Sequence, residues 1–469
     1  MSSAAARPLA PPVLAVVGAD TTVPVLSGGE RRYVNLDNAA STPALACVRD
    51  TVVAFLDWYS NVHRGTGYKS RLSSWAFERA RDRVARFVNA DSKHEVVIFC
   101  KNATEAINRL AHRLPFRDSD VVLTTVMEHH SNELPWRRAA KVVHIGVHSD
   151  GRVDEADLAA SLAEHRGRVR LLAVSGASNV TGYINPIHDW ARLAHEAGAE
   201  ILVDAAQLAP HRPLDMKPAS SAEHLDYVAF SAHKMYAPFG IGVLVANRAA
   251  FETGDPEVVG GGTVDIVDLE NAYWTDLPDR EEAGTPDIVG VVALARAIRA
   301  LEEIGWQSLV QHEAELTAYA LQRLKAIPDV ILYGDVEPAR AGQRLGVIPF
   351  NVRGLPHAFV SAVLSCEFGI GTRHGCFCAH PYVKELLCVT QSEAREVENR
   401  ILARDRSTIP GTVRASFGIY NTPGDVDTLA EALTLISRRQ FDRGYILDAE
   451  RGEYTHPALP VDYRGRFDF

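Results

Sequence analysis

Along the first half of the chain, short runs of consecutive apolar residues alternate with stretches in which apolar positions recur every three or four residues. EVVIF (95–99), VVLTTV (121–126), VRLLAV (169–174), EILVDA (200–205), LDYVAF (225–230) and GVLVAN (242–247) have strand length. Their near-continuous apolarity predicts strands buried on both faces, as in a parallel sheet. Between them, RARDRVARFV and NPIHDWARLAHEAG read as helices. Around the first, Phe77, Ala80, Val84, Phe87 and Val88 recur at helical spacing; the second closes on Gly198, as helix C-termini often do. Strands alternating with helices predict an α/β fold with a mostly parallel, helix-covered sheet and ligands at the carboxyl ends of its strands.

The helical VVALARAIRALEEIG, starting at residue 291, reads as a connector into a smaller α+β domain. The chain therefore divides into an N-terminal extension (1–30), a large domain (31–290), a small domain (291–440) and a tail (441–469). The Ala/Pro-rich first thirty residues read as a partly disordered arm, and the polar, aromatic ending ERGEYTHPALPVDYRGRFDF as a second arm without a clear period.

Composition narrows the partners. A net charge of −10, dispersed along 469 residues, gives no electrostatic reason to expect nucleic acid or an anionic membrane. No apolar run is long enough to span a bilayer. The first twenty residues carry only Arg7 as a base, with Pro11 and Pro12 before the apolar run and Asp20 after it, which is not the form of a signal peptide. Six cysteines in so long a chain do not make a disulfide scaffold, so a reducing cytoplasm is expected. Two of them sit in GTRHGCFCAHP (371–381). His374, Cys376, Cys378 and His380 there could be a metal clip, a redox pair, a buried patch or a nucleophile, and the spacing alone does not choose. A C-x-C pair is a poorer start for tetrahedral zinc than C-x-x-C, and no metal is expected.

The strand ends carry the candidate chemistry. In FSAHKMYAPFGIGVL, Lys234 follows a buried strand, flanked by Ser231 and His233. A lysine there is costly unless paired or used covalently, for instance as a Schiff base with pyridoxal 5′-phosphate (PLP). Asp204 ends the apolar ILVD, where a carboxylate has no packing reason to be; an anion of this kind suits a protonated pyridine, and Gln207 could donate to a ring oxygen. The strand-to-helix turn in CKNATEAIN, with Thr104, could hold a phosphate at the helix N-terminus. TTVMEHHSNELPW ends a strand with two histidines, one of which could stack on a planar cofactor and shuttle protons. Each has an ordinary alternative: a surface lysine, a helix cap, a loop histidine.

The ordered set LDNAAST, NVHRG, ATEAIN, EHHSNELPW, SNVTG, VDAAQ, SAHKMYAPFGIG, EAGTP, CFCAHP and RASFGIYNT resembles the type II cysteine desulfurases and selenocysteine lyases. These form part of the class V aminotransferase branch of the fold type I PLP enzymes, and the resemblance covers about residues 33 to 435. It implies a seven-stranded, mostly parallel sheet in the large domain and a homodimer. By motif, Lys234 would be the Schiff-base lysine, Asp204 the pyridine-nitrogen partner and Gln207 the donor to the ring oxygen. Asn179 would lie near the ring and substrate, and His129 would stack on the ring and move protons. Thr104, Ser231 and His233 would bind the phosphate, with Ala103 where a second hydroxyl is common. Thr285 would reach the phosphate across the dimer interface. Arg414, with Arg373 and Asn179, would bind the substrate, its planar fork matching a carboxylate.

In such enzymes the nucleophilic cysteine lies five residues after an arginine and before Ala-x-Pro; here Arg373 is followed by Cys378 and then AHP. The implied reaction cleaves the C–S or C–Se bond of L-cysteine or a related substrate, leaving a persulfide on Cys378 and alanine, with a sulfur-acceptor protein as a possible partner. The chain departs from the pattern at Cys376 and Phe377, where histidines are common, and at Gly67, where the type II enzymes carry a histidine. Relatives in this branch include C–S lyases, aminotransferases and an epimerase that would not need Cys378. A sulfur-relay or assembly partner with little activity alone is a further alternative.

Overall fold

A computed structural model describes residues 14–63, 65–459 and 467. The apolar runs become strands β1 (Glu95–Cys100), β2 (Val121–Thr125), β4 (Val169–Ser175), β5 (Glu200–Asp204), β6 (Tyr227–Ser231) and β7 (Gly242–Asn247). A seventh strand, β3 (Lys141–Ile145), forms the edge beside β2. It is half exposed and carries Lys141 and His144, so its sequence lacks the apolar continuity that marks the others. The sheet order is β1–β7–β6–β5–β4–β2–β3, parallel throughout except for β7, which runs antiparallel to β1 and β6.

Alternate residues of each central strand enter two different cores, which explains the unbroken apolar runs. Val97, Leu123, Leu172, Val203, Val228 and Val245 face one layer of helices. Val96, Val122, Leu171, Leu202, Tyr227 and Leu244 face the other. The first layer holds helix α1 (Tyr68–Phe87), whose Phe77, Ala80, Val84 and Phe87 pack with Ile288, Val291, Leu294 and Leu301 of α3 (Ile288–Ile304). The second holds α2 (Ala103–Arg113). Each fully buried aliphatic side chain contributes roughly 1.5–3 kcal/mol.

Beyond Gly305, α4 (Trp306–Lys325) begins a separate core. Strands β8 (Val330–Leu332), β9 (Val347–Val352), β10 (Arg373–Gly375) and β11 (Thr412–Ser416) form an antiparallel sheet in the order β8–β9–β11–β10. Helices α4, α5 (His357–Phe368) and α6 (Pro423–Ser437) supply its apolar cover. The N-terminal chain is stitched to this unit: Val34–Asn35 pairs in parallel with Ile370–Gly371, and Asp37 bridges Ser416.

Of the first thirty residues, expected to form a partly disordered arm, 1–13 lie outside the described residues. From Thr22 the chain forms a hairpin, Thr22–Pro24 against Glu30–Arg32. The tail, read as an aperiodic arm, carries a hairpin of Ile446–Asp448 and Glu453–Thr455. Its strands are too short to produce a periodic signal.

One close approach fixes where α2 begins. Gly242 opens β7 against the backbone of Asn102, and a Cβ there would lie 2.4 Å from Asn102 Cα. Gly242→Ala must displace the start of α2 and is expected to destabilise the protein by about 1–3 kcal/mol. A urea unfolding curve checks this; an unchanged midpoint would contradict the packing described.

Candidate active site

The carboxyl ends of β4, β5 and β6 meet the N-terminus of α2 and the small-domain strands around a cavity of about 350 Å³. Apart from Thr285, every site residue expected from the sequence lines it: Ala103, Thr104, His129, Asn179, Asp204, Gln207, Ser231, His233, Lys234, Arg373, Cys378 and Arg414.

Two opposite charges form its floor. Asp204 is buried at the end of β5, and one carboxylate oxygen accepts from the Ala206 N–H at 3.0 Å. Burial pushes its carboxyl above the ordinary range, and the Lys234 ammonium opposes that shift. Lys234 sits on the single 3-10 turn after β6; burial lowers its ammonium, and Asp204 partly restores it. With Asp204 buried and Lys234 half-buried, each charge depends on the other. Gln207 donates to the Ala39 carbonyl at 2.8 Å, which ties β5's exit to the N-terminal segment.

The opposite end suits an anion. The Asn102 side chain caps α2 by accepting from the Glu105 N–H at 2.9 Å, and the Ala103 N–H donates to Ser231 Oγ at 2.8 Å. The Thr104 and Ser131 hydroxyls lie 2.6 Å apart. Burial and Lys234 push His233 down to about 4, so it is neutral at physiological pH. The aligned peptide dipoles of the first helical turn add positive potential.

Between the two ends stands His129. Its Nδ1 accepts from the Ser131 N–H at 3.1 Å, which leaves the neutral ring's proton on Nε2. Burial, Lys234 and neighbouring cations push this imidazole down to about 3. The residue before it, Glu128, is buried beneath the site and accepts four hydrogen bonds, from Thr125 Oγ1, Asn132 Nδ2, Ser175 N–H and Ser175 Oγ, at 2.6–3.0 Å. These pin the β2 and β4 ends together. Sequence reasoning missed both Glu128 and Ser131, although a carboxylate just past a buried strand is the same signal that marked Asp204.

The remaining wall joins two arginines and a cysteine. Arg373 and Arg414 are cross-strand partners on β10 and β11, an arrangement that repels. Asp37 resolves it, one oxygen accepting from Arg414 at 3.0 Å and the other from Arg373 at 3.2 Å. Asp37, also missed, lies within the quoted LDNAAST. Arg414 is fully buried, donates to the Asn179 carbonyl at 2.9 Å and lies 4.7 Å above the Phe377 ring centre. Its Nε has no hydrogen-bond partner among the described residues.

Phe377 leads into a strained turn. The Ala379 N–H donates back to the Cys376 carbonyl at 2.8 Å, and both central residues, Phe377 and Cys378, have positive φ, 52° and 55°. Non-glycine residues in this region cost roughly 1–2 kcal/mol each. Contacts from the large unit hold them there: Asn179 Nδ2 donates to the Phe377 carbonyl at 2.8 Å, and the His130 N–H to the Cys378 carbonyl at 2.7 Å. His380, just past the turn, stacks on His130 with ring centres 4.8 Å apart. The turn leaves Cys378 exposed at the cavity and Cys376 buried outside it.

Some predicted neighbours are not brought together. His374 packs towards His357, His380 on His130, and Cys376 on Pro410. Among the described residues no group of three or more His, Cys, Asp or Glu is placed to hold a metal ion. Thr285 is exposed and lies outside this cavity. No described helix is long and apolar enough to cross a membrane.

Comparison with known proteins follows the same lines. The class-V aminotransferase family model matches residues 34–429. A protein of Halalkalibacterium halodurans named "Probable cysteine desulfurase" is 36% identical over 409 residues, covering 85% of this chain and 92% of that protein. The "Cysteine desulfurase" of Haloferax volcanii is 35% identical, covering 85% of this chain and 88% of its own. Among solved structures, the apo cysteine desulfurase of Thermococcus onnurineus NA1 matches with a TM-score of 0.74 and 32% identity, over 87% of this chain and 95% of that one.

The two neighbouring thiols should differ sharply in reactivity. Cys378 is exposed, whereas burial pushes the Cys376 thiol up to about 11. Brief iodoacetamide treatment at neutral pH followed by peptide mapping should label Cys378 at least about tenfold faster than Cys376. Equal labelling would contradict this geometry.

Proposed function

The chain belongs to the class-V aminotransferase family, and on that premise we propose that it is a PLP-dependent cysteine desulfurase. Its substrate would be L-cysteine or a close sulfur or selenium analogue, its products alanine and a persulfide on Cys378. The reading is carried by the convergence of Lys234, Asp204, Arg414 and Cys378 on one cavity.

The residues fit the cofactor. Asp204 is a buried carboxylate with a single hydrogen-bonding partner among the described residues and a cavity in front of it, suited to a protonated ring nitrogen. Lys234 faces the same space and would hold the aldehyde carbon. Gln207 would serve the ring oxygen, and His129 would lie over the ring. Thr104, Ser231, His233 and the backbone at Ala103 would receive the phosphate; Ser131, paired with Thr104, joins them. When bound, PLP supplies an electron sink that labilises bonds at the substrate's α-carbon.

The protein's own groups then have distinct tasks. Arg414, whose charge is already neutralised on one side by Asp37, would orient the substrate carboxylate with Arg373 and Asn179 nearby. The Cys378 thiolate would attack the substrate sulfur: a new S–S bond forms and the C–S bond breaks. The electron pair of that bond stays with the three-carbon fragment, which takes up a proton and leaves as alanine. His129, whose neutral ring carries its proton on Nε2, would move protons at that atom.

A homodimer is part of the same reading. The hairpin Val264–Val267 and Ala272–Trp274 exposes Ile266, Val267, Leu269 and Tyr273, a surface suited to a second copy. Thr285 follows this segment and could serve the partner's phosphate site. Six unpaired cysteines suit the reducing cytoplasm, where an acceptor protein would collect the sulfur.

The test is to supply L-cysteine to the purified protein and measure alanine. The wild type should be yellow and productive, Lys234→Ala should lose the covalently held chromophore, and Cys378→Ser should lower alanine formation by roughly two orders of magnitude or more. A colourless wild type, or undiminished alanine from Cys378→Ser, would overturn the proposal.

A further inference from the structure

Cys376 has no place in the reaction just proposed. It is buried and outside the cavity, and its surroundings suggest a different task. Its thiol donates to the Pro410 carbonyl at 2.9 Å. Pro410 lies in a segment packed against the cysteine loop. A Cβ on Gly411 would come within 2.7 Å of Gly375 Cα. His357 Nε2 lies 2.9 Å from the Ile409 carbonyl, and Asn351 donates to the Gly411 carbonyl at 3.1 Å.

The same segment is gripped from outside by the C-terminal hairpin. The Arg406 N–H donates to the Ala449 carbonyl and its guanidinium to the Glu450 carbonyl, both at 2.7 Å. The hairpin is seated in turn on Phe359, whose ring meets those of Phe441, Tyr445 and Tyr454 at 5.1–5.2 Å. Segment 406–411 is thus a splint, fastened by the tail on one side and by Cys376 on the other.

We propose that Cys376 is a positioning residue for Cys378: its S–H···O=C bond to Pro410 fixes the entry of the strained turn and so holds the second thiol at the cavity. The proposal rests on the role assigned to Cys378. Asn179 and His130 restrain only the middle of the turn. The strand pairing of Gly375 with Thr412 ends one residue before Cys376, so the thiol bond is what carries that anchorage into the turn. Without it, Phe377 and Cys378 gain by relaxing from positive φ toward extended backbone, which moves the Cys378 thiol. The anchor must be a donor, because Pro410 offers only an acceptor; a serine meets that need and an alanine does not. A sulfur-relay role for Cys376 would require access and a thiolate, and this thiol has neither.

The test compares full-length, cofactor-loaded wild type, Cys376→Ser and Cys376→Ala. Two quantities are measured: kcat and KM for L-cysteine, and the rate at which iodoacetamide alkylates Cys378. Cys376→Ala should lower kcat about five- to tenfold, the equivalent of one hydrogen bond, with KM little changed. Its Cys378 should be alkylated about two- to threefold faster as the turn loosens. Cys376→Ser should stay within about twofold of wild type in both, since its hydroxyl replaces the donor. Equal cofactor absorbance controls for folding, and Cys376→Val repeats the comparison if Cys376→Ala loses the cofactor. A donor-less variant indistinguishable from wild type would overturn the proposal. So would a Cys376→Ser as impaired as Cys376→Ala, which would mean that the sulfur itself is needed. Should the wild type not turn over L-cysteine, the proposed function fails, while the alkylation rates still decide the anchor.

Discussion

The carboxylate of Asp37 is the constraint on which the site depends. Antiparallel pairing of β10 with β11 sets Arg373 directly across from Arg414, and one of these guanidiniums is fully buried. Two cations so placed would push the strands apart, and the buried one would be left unpaired, a loss that runs to several kcal/mol when a partner is removed. Asp37 meets both, one oxygen to each. Because it follows the short strand that pairs with Ile370–Gly371, the same carboxylate locks the N-terminal segment against the small sheet. Cavity shape, arginine orientation and the approach of the cysteine turn all follow from that contact.

Charge and strain are distributed around the cavity in a consistent way. Asp204 is buried and Lys234 half-buried, with few direct partners among the described residues; His129 and His233 are held neutral, and the N-terminus of α2 points its dipole at the cavity. A flat ligand with an anion at one end and a basic nitrogen at the other would satisfy all of these at once. The cysteine turn is a strained piece of backbone at the cavity's edge, and contacts from both structural units hold it. Backbone strain that persists only because its surroundings impose it is typical of functional positions.

Much of the large sheet was legible because its strands are buried on both faces, so that burial alone writes continuous apolar runs. The edge strand Lys141–Ile145 was not, since a half-exposed edge tolerates lysine and histidine. Lys234 and Asp204 could be found as charges at the ends of apolar strands. Asp37 obeys similar logic, but its partner lies far away in sequence, Arg414 being 377 residues on. Glu128 and Ser131 have local partners as well, and only their bonds to Ser175 and Thr104 tie them to the site. The difference between Cys376 and Cys378 could not be read from a C-x-C spacing. It arises from two positive φ angles, which send neighbouring thiols in different directions.

The central claim is that this turn delivers one particular thiol to a substrate sulfur. The most direct measurement is a single turnover with limiting L-cysteine, followed by peptide mass analysis of the unreduced protein. The account predicts one added sulfur atom on the peptide's Cys378, in amount equal to the alanine released. Alanine released without protein-bound sulfur, or sulfur found on Cys376 instead, would contradict it.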